Sequence, residues 1–223
     1  MTSHTATDVD LSTNYLGLDL ANPIVASASP LTGRVDDLIR LEEAGAGAAV
    51  LPSLFEEQIE ADALFVDDFL GFDVGPEAIA GHVPQLPHLT DGPDRYLTLV
   101  EEATERLSIP VIASLNGVTP GGWIEHASEM QRAGADAIEL NVYHVAADVG
   151  ISGAEIEQRY LDLLHELRQH ISLPINMKLS PAFSSVAHMV KQLEATGARG
   201  VALFNRFYQP DINIDNLRLV SSL

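Results

Sequence analysis

Short apolar runs alternate with longer amphipathic stretches along the 223-residue chain. PIVASAS (23–29) is followed by VDDLIRLEEAG (35–45), in which Val35, Leu38, Ile39 and Leu41 recur at helical spacing and Gly45 supplies a stop. AGAAVLPS (46–53) is a second run. A segment containing GPEAIAGHVPQLPHLTDGPD follows, rich in proline and glycine, and reads as an excursion of loops. RYLTLVEEATERL (95–107) predicts a helix, IPVIASLNG (109–117) a third strand, and WIEHASEMQRAG (123–134) another helix. DAIELN (136–141), a helix near 154–170, LPINMKLSP (173–181), a helix over 184–197 and ARGVALFN (198–205) complete the alternation. The runs carry few polar positions on either face, as parallel strands covered by helices do. AGAGAAV, AGADAIEL and TGARGVAL are near-repeats of one junction, from helix through a glycine turn to a strand, and argue for a repeated βα unit.

Two architectures fit this pattern, a (β/α)8 barrel and an open doubly wound sheet. A dinucleotide-type sheet wants a glycine-rich phosphate turn after its first strand, and SASPLTGR is not one. A barrel accounts for polar residues recurring at strand C-termini, where barrel active sites lie. The expectation is therefore a single (β/α)8 barrel domain over 1–223. It is incomplete, with about six βα units against the eight that a full barrel of ~250 residues holds.

The strand ends offer Ser27 and Ser29, Pro52 and Ser53, Ser114 and Asn116, Asn141 with Tyr143 and His144, Lys178 and Ser180, and Asn205. Amides, hydroxyls and one ammonium suit a flat heteroaromatic ligand with carbonyl and ring-nitrogen groups. Plainer roles stand beside this one. Lys178 snorkels to water, Asn116 before Gly117 shapes a turn, Asn141 and Asn205 end strands, and His144 sits in a loop.

Composition narrows the classes. Twelve Lys and Arg against 32 Asp and Glu give a formal charge of −20, a surface that repels phosphate backbones and anionic lipid. Neither nucleic acid nor a membrane is an expected partner. With no cysteine, disulfide and thiolate chemistry are excluded. The eight histidines are scattered without metal-ligand spacing, so no metal is expected. MTSHTATDVD has neither the basic start nor the apolar core of a secretory leader, and the expected setting is the cytoplasm.

LANPIVASASPLTG, ASLNG, AGADAIELN, PINMKLSP and GVALFN stand in the order and spacing of the dihydroorotate dehydrogenase family, which the chain resembles from about residue 11 onward. The resemblance implies an FMN-dependent barrel that oxidises dihydroorotate, or a related cyclic small molecule, to orotate in pyrimidine synthesis, with a homodimer admitted. It implies that Lys178 contacts the flavin ring near N1, that Asn116, Asn141 and Asn205 lie near flavin and substrate, and that Ala26 and Ser27 lie against the isoalloxazine.

The departures bear on chemistry. Where the family reads Asn-x-Ser-Cys-Pro-Asn, this chain reads Asn141-Val142-Tyr143-His144-Val145-Ala146, so His144 falls on the position of the catalytic base. A neutral imidazole, with an unperturbed pKa of about 6.5, is a competent base at pH 7. The family's second Asn is Ala146, and its Thr-Lys after the second strand is Leu51-Pro52. These losses favour an altered substrate, and by itself the chain is expected to hold FMN weakly. A second reading is a non-catalytic family member acting as a binding or interaction module. A third is an aldolase with Lys178 as its Schiff-base amine.

Overall fold

The structure is a computed structural model that describes residues 9–55, 92–116, 120–142, 148–205, 209–213 and 218–222. All six apolar runs are parallel strands of one sheet: β3 (Val25–Ala26), β4 (Ala48–Phe55), β5 (Val111–Asn116), β6 (Ala137–Asn141), β7 (Ile175–Leu179) and β8 (Gly200–Leu203), ordered as in the sequence. Between them run α1 (Val35–Glu43), α2 (Gly92–Arg106), α3 (Pro120–Arg132), α4 (Gly153–His170) and α5 (Val186–Thr196). An antiparallel hairpin, β1 (Thr13–Tyr15) and β2 (Leu18–Leu20), precedes the sheet. Most of the excursion, residues 56–91, lies outside the described residues.

The expected (β/α)8 barrel requires correction. The six parallel strands make an open half-barrel, and β3 and β8 are its two edges among the described residues. After β8 the backbone forms β9 (Gln209–Asn213) and β10 (Arg218–Ser222), an antiparallel hairpin in a sheet of its own rather than a further βα unit. Closure needs strand number, tilt and stagger to agree, and among the described residues β3 and β8 do not pair with each other.

The repeated helix-to-strand junction has a backbone cause. Gly45, Gly134 and Gly197 follow α1, α3 and α5 with φ of 96°, 96° and 117°, the left-handed conformation that ends a helix without a Cβ clash. Side chains then bind the next unit. The Ser108 and Ile109 N–H groups donate to Glu42 Oε1 on α1 (2.7 and 3.1 Å). The Ser172 and Leu173 N–H groups donate to Gln131 Oε1 on α3 in the same way (2.8 and 3.3 Å). At the start of α4, Ser152 and Glu155 form a reciprocal capping box, and Arg168 and His170 occupy the last turn, matching the helix dipole at both ends. The helix buries Ile156, Tyr160, Leu164 and Leu167 on one stripe.

The two faces of the sheet are covered differently. Ala113, Leu115, Ile138, Leu140, Ile175, Met177 and Leu179 alternate onto the helix side and join the main core with Trp123, Met130 and Leu164. On the opposite face, Val50, Ile112 and Ala137 form an apolar floor capped by Leu16 from the β1–β2 turn. Tyr15 pairs with Leu18, and Leu16 and Gly17 between them have φ of 59° and 88°. This is the two-residue hairpin geometry that asparagine and glycine normally fill. A leucine there costs about 1–2 kcal/mol of backbone strain, which burial of its side chain at 4% exposure offsets. A Cβ on Gly200 would crowd Leu16 Cδ2, so the plug and the edge strand are fitted to each other.

Leu16→Ala keeps the strained turn and empties the floor. It is expected to cost about 2–5 kcal/mol, read as a lower urea midpoint at unchanged slope.

Candidate functional site

Above the floor, the same face turns polar in two rungs. Register pairs Ser53 with Ser114, Ser114 with Glu139, Glu139 with Asn176 and Asn176 with Gly200. Two residues further along each strand, Asn116 pairs with Asn141, Asn141 with Lys178 and Lys178 with Ala202. The two-residue pleat repeat sends both rungs to one face, and the upper one stands at the strands' C-terminal ends.

In the lower rung Ser114, Glu139 and Asn176 are buried and Ser53 is half-buried, and all four are hydrogen-bonded. Ser53 Oγ and Ser114 Oγ share a bond of 2.8 Å. Tyr96 of α2 accepts from the Ser114 N–H (2.7 Å) and donates to its carbonyl (3.1 Å). Glu139, 4% exposed, is the hub of the next pair of strands. Its Oε2 accepts from Asn176 Nδ2 and its Oε1 from Lys178 Nζ, each at 3.0 Å. The ion pair runs diagonally from the lower rung to the upper, with side-chain exposures of 16% for Lys178 and 5% for Glu139. Asn176 Oδ1 is buried without a hydrogen-bond partner among the described residues.

Two tyrosines feel this carboxylate. Burial chiefly, and then the Glu139 charge, push the Tyr15 hydroxyl up to about 12. Tyr96 is pushed up further by burial. The Ser114 backbone hydrogen bond opposes that rise, and Glu139 adds to it.

The structure brings Asn116, Asn141 and Lys178 side by side. Asn205, whose N–H donates to the Leu179 carbonyl, reaches Asn141 Oδ1 through a long 3.5 Å contact. Ala26 and Ser27 sit apart at the β3 edge. The Ala26 side chain packs against the helix-side core, while Ser27 is exposed just past the strand end. His144, with Tyr143 and Ala146, lies outside the described residues. Sequence reasoning missed Glu139 and Asn176. The available signal was a polar residue two positions before Asn141 in AIELN and before Lys178 in INMKL, inside otherwise apolar strands.

A cleft of about 520 Å³ between α1 and α2, lined in part by Arg34, Asp36 and Arg106, meets the lower rung only at Ser53 and Tyr96. The strand-end rungs carry more of the chemistry, because their polar groups are buried or half-buried, mutually oriented and in register. Among the described residues no group of three or more His, Asp or Glu side chains is placed to hold a metal ion, and no helix is long and apolar enough to cross a membrane.

No family model matches the chain. A protein of Aeropyrum pernix named for dihydroorotate dehydrogenase A (fumarate) is 31% identical over 209 residues, covering 92% of this chain and 64% of that one. The NAD-dependent dihydropyrimidine dehydrogenase subunit PreA of Escherichia coli K12 is 27% identical over 210 residues, covering 88% and 48%. The chain thus spans between about half and just under two thirds of these curated relatives. Among solved structures, dihydrodipicolinate synthase of Agrobacterium tumefaciens aligns over 80% of this chain and 52% of its own at 13% identity, with a TM-score of 0.49.

Glu139→Ala strands a buried ammonium and is expected to cost about 3–5 kcal/mol, whereas the double change Glu139→Leu with Lys178→Met costs less than either charge-stranding single change. Urea unfolding of the set at pH 7 measures this. The tyrosines give an alkaline test. Their raised folded-state values mean that the native state holds protons the unfolded chain releases. This stability is complete below pH 10 and is lost as pH rises through about 12 for Tyr15. The urea midpoint should fall across that window, and less steeply in Tyr15→Phe.

Proposed function

We propose that this chain, a divergent member of the dihydroorotate dehydrogenase family, carries the ring-binding face of an FMN-dependent oxidoreductase. The enzyme oxidises a CH–CH bond of a cyclic dihydropyrimidine, dihydroorotate or a relative of it, in cytoplasmic pyrimidine metabolism. The observation that carries the reading is the upper rung, in which Asn116, Asn141 and Lys178 are adjacent in register with the ammonium pinned by Glu139.

The donor set fits a flavin ring. Side-chain amides of Asn116 and Asn141 donate and accept at once, which suits ring carbonyl and N–H groups. The Lys178 ammonium supplies positive charge where charge develops on a reduced ring. FMN, when bound, supplies the hydride acceptor. The chain's own residues hold the ring, exclude water over the apolar floor and keep Lys178 in place through Glu139 and Asn176. On this reading His144, three residues after Asn141, takes the proton from the substrate carbon next to the one that loses hydride.

Leu51 and Pro52, standing where the family reads Thr-Lys, favour a second reading, a module that has kept the ring face and lost turnover. Leu51 is fully buried in the helix-side core and offers a ligand nothing polar.

Flavin fluorescence distinguishes these readings. FMN and riboflavin should both be quenched on titration with the protein, and Lys178→Met should weaken both at least about tenfold, the ~1.4 kcal/mol of one charge-assisted contact. Dihydroorotate or dihydrouracil should then bleach the bound flavin without oxygen. His144→Ala should slow bleaching about 100-fold or more at unchanged flavin affinity. Absence of quenching, or quenching indifferent to Lys178, overturns the flavin reading; quenching without bleaching selects the non-catalytic one.

A further inference from the structure

The hydrogen bonds of the lower rung leave one gap. Asn176 commits Nδ2 to Glu139 Oε2, while its Oδ1 is buried with no partner among the described residues. The next strand offers no side chain to fill the gap, because the register partner of Asn176 on β8 is Gly200. A Cβ there would stand 3.1 Å from Asn176 Oδ1 and crowd Leu16 Cδ2. An orphaned buried acceptor is destabilising, and turning the amide over would place that oxygen against Glu139 instead. The observed orientation has Glu139 accepting at both oxygens, from Asn176 and from Lys178, as an ionised carboxylate does.

Lys178 therefore presents its charge at the upper rung with a fixed negative charge 3.0 Å behind it. Side-chain exposures of 16% for Lys178 and 5% for Glu139 leave the pair weakly screened by solvent. On reduction a flavin ring takes two electrons and one proton from its reductant and gains one negative charge. An ammonium beside the ring favours that charged form over the oxidised one, and a carboxylate bonded to the same ammonium opposes the effect. Resting on the flavin reading above, we infer that Glu139 is a positioning residue that sets the reduction potential of the flavin, holding it below the value Lys178 alone would give. Glu139 stands one rung below the amides and acts through Lys178. A lower potential makes the bound ring a weaker oxidant of its substrate and a better donor to its acceptor.

The test is the two-electron midpoint of protein-bound FMN at pH 7, at saturating FMN, reduced with dithionite against a reference dye. Glu139→Gln keeps the shape of the side chain and removes its charge. Asn176 accommodates the change by turning its orphaned Oδ1 toward the new amide. This variant should favour reduced over oxidised FMN at least about tenfold more than wild type, a rise of about 30 mV. Lys178→Gln should fall below wild type, and Glu139→Gln with Lys178→Gln should lie above Lys178→Gln alone. All other charges, Arg95, Arg159, Lys191, Arg199 and Arg218 included, are common to the four proteins, so the differences read this pair. A midpoint that Glu139→Gln leaves unmoved or lowers, with FMN still quenched in a Lys178-dependent way, overturns this inference and leaves the flavin reading standing. Absence of that quenching in wild type ends the flavin reading and this inference with it. If Glu139→Gln does not fold, Lys178→Gln and the double variant decide, and equal midpoints in those two overturn the inference.

Discussion

A parallel sheet must be covered on both faces, and this chain covers its two faces by different means. The helix side is closed by side chains that alternate out of each strand onto α1 to α5. The opposite face has no helix layer among the described residues. Its base is sealed by Leu16 over Val50, Ile112 and Ala137. Its upper part is polar and pairs with itself, Ser53 with Ser114 and Glu139 with Asn176 and Lys178. The site is thus the continuation of the second face beyond its apolar floor. The strained turn that delivers Leu16 is a structural condition for it.

The Glu139–Lys178 pair links packing to chemistry. A buried pair of this kind gains little net stability over an apolar pair, yet removing one partner is costly. That asymmetry keeps both residues where they are. It holds the ammonium on the amide row. The same carboxylate reaches Tyr15 and Tyr96, so the plug, the helix α2 and the strand ends share one electrostatic environment.

Most strands were legible because parallel strands buried on both faces read as continuous apolar runs, and the glycine junctions mark where each begins. The five helices between them were legible from their 3.6-residue stripe. Closure was not legible. A βα repeat looks the same in a barrel, a half-barrel and an open sheet, because the difference lies in what the two edge strands meet. The Leu16 turn was equally hidden, since its positive φ contradicts local preference and is sustained only by a distant pocket.

For the site, the sequence by itself determined which polar residues end the strands: Asn116, Asn141, Lys178 and Asn205 were all read from their place after apolar runs. It determined the family resemblance and the substitutions at Pro52, His144 and Ala146. Only the tertiary structure decided that Asn116, Asn141 and Lys178 form one rung, and that Ala26 turns its side chain to the helices. Only the structure supplied Lys178 with its counter-ion. Glu139 and Lys178 are 39 residues apart and Asn141 and Asn205 are 64 apart. Local periodicity gives the direction of a side chain only relative to its own strand. Strand register, set by hydrogen bonding across the sheet, decides which side chains become neighbours.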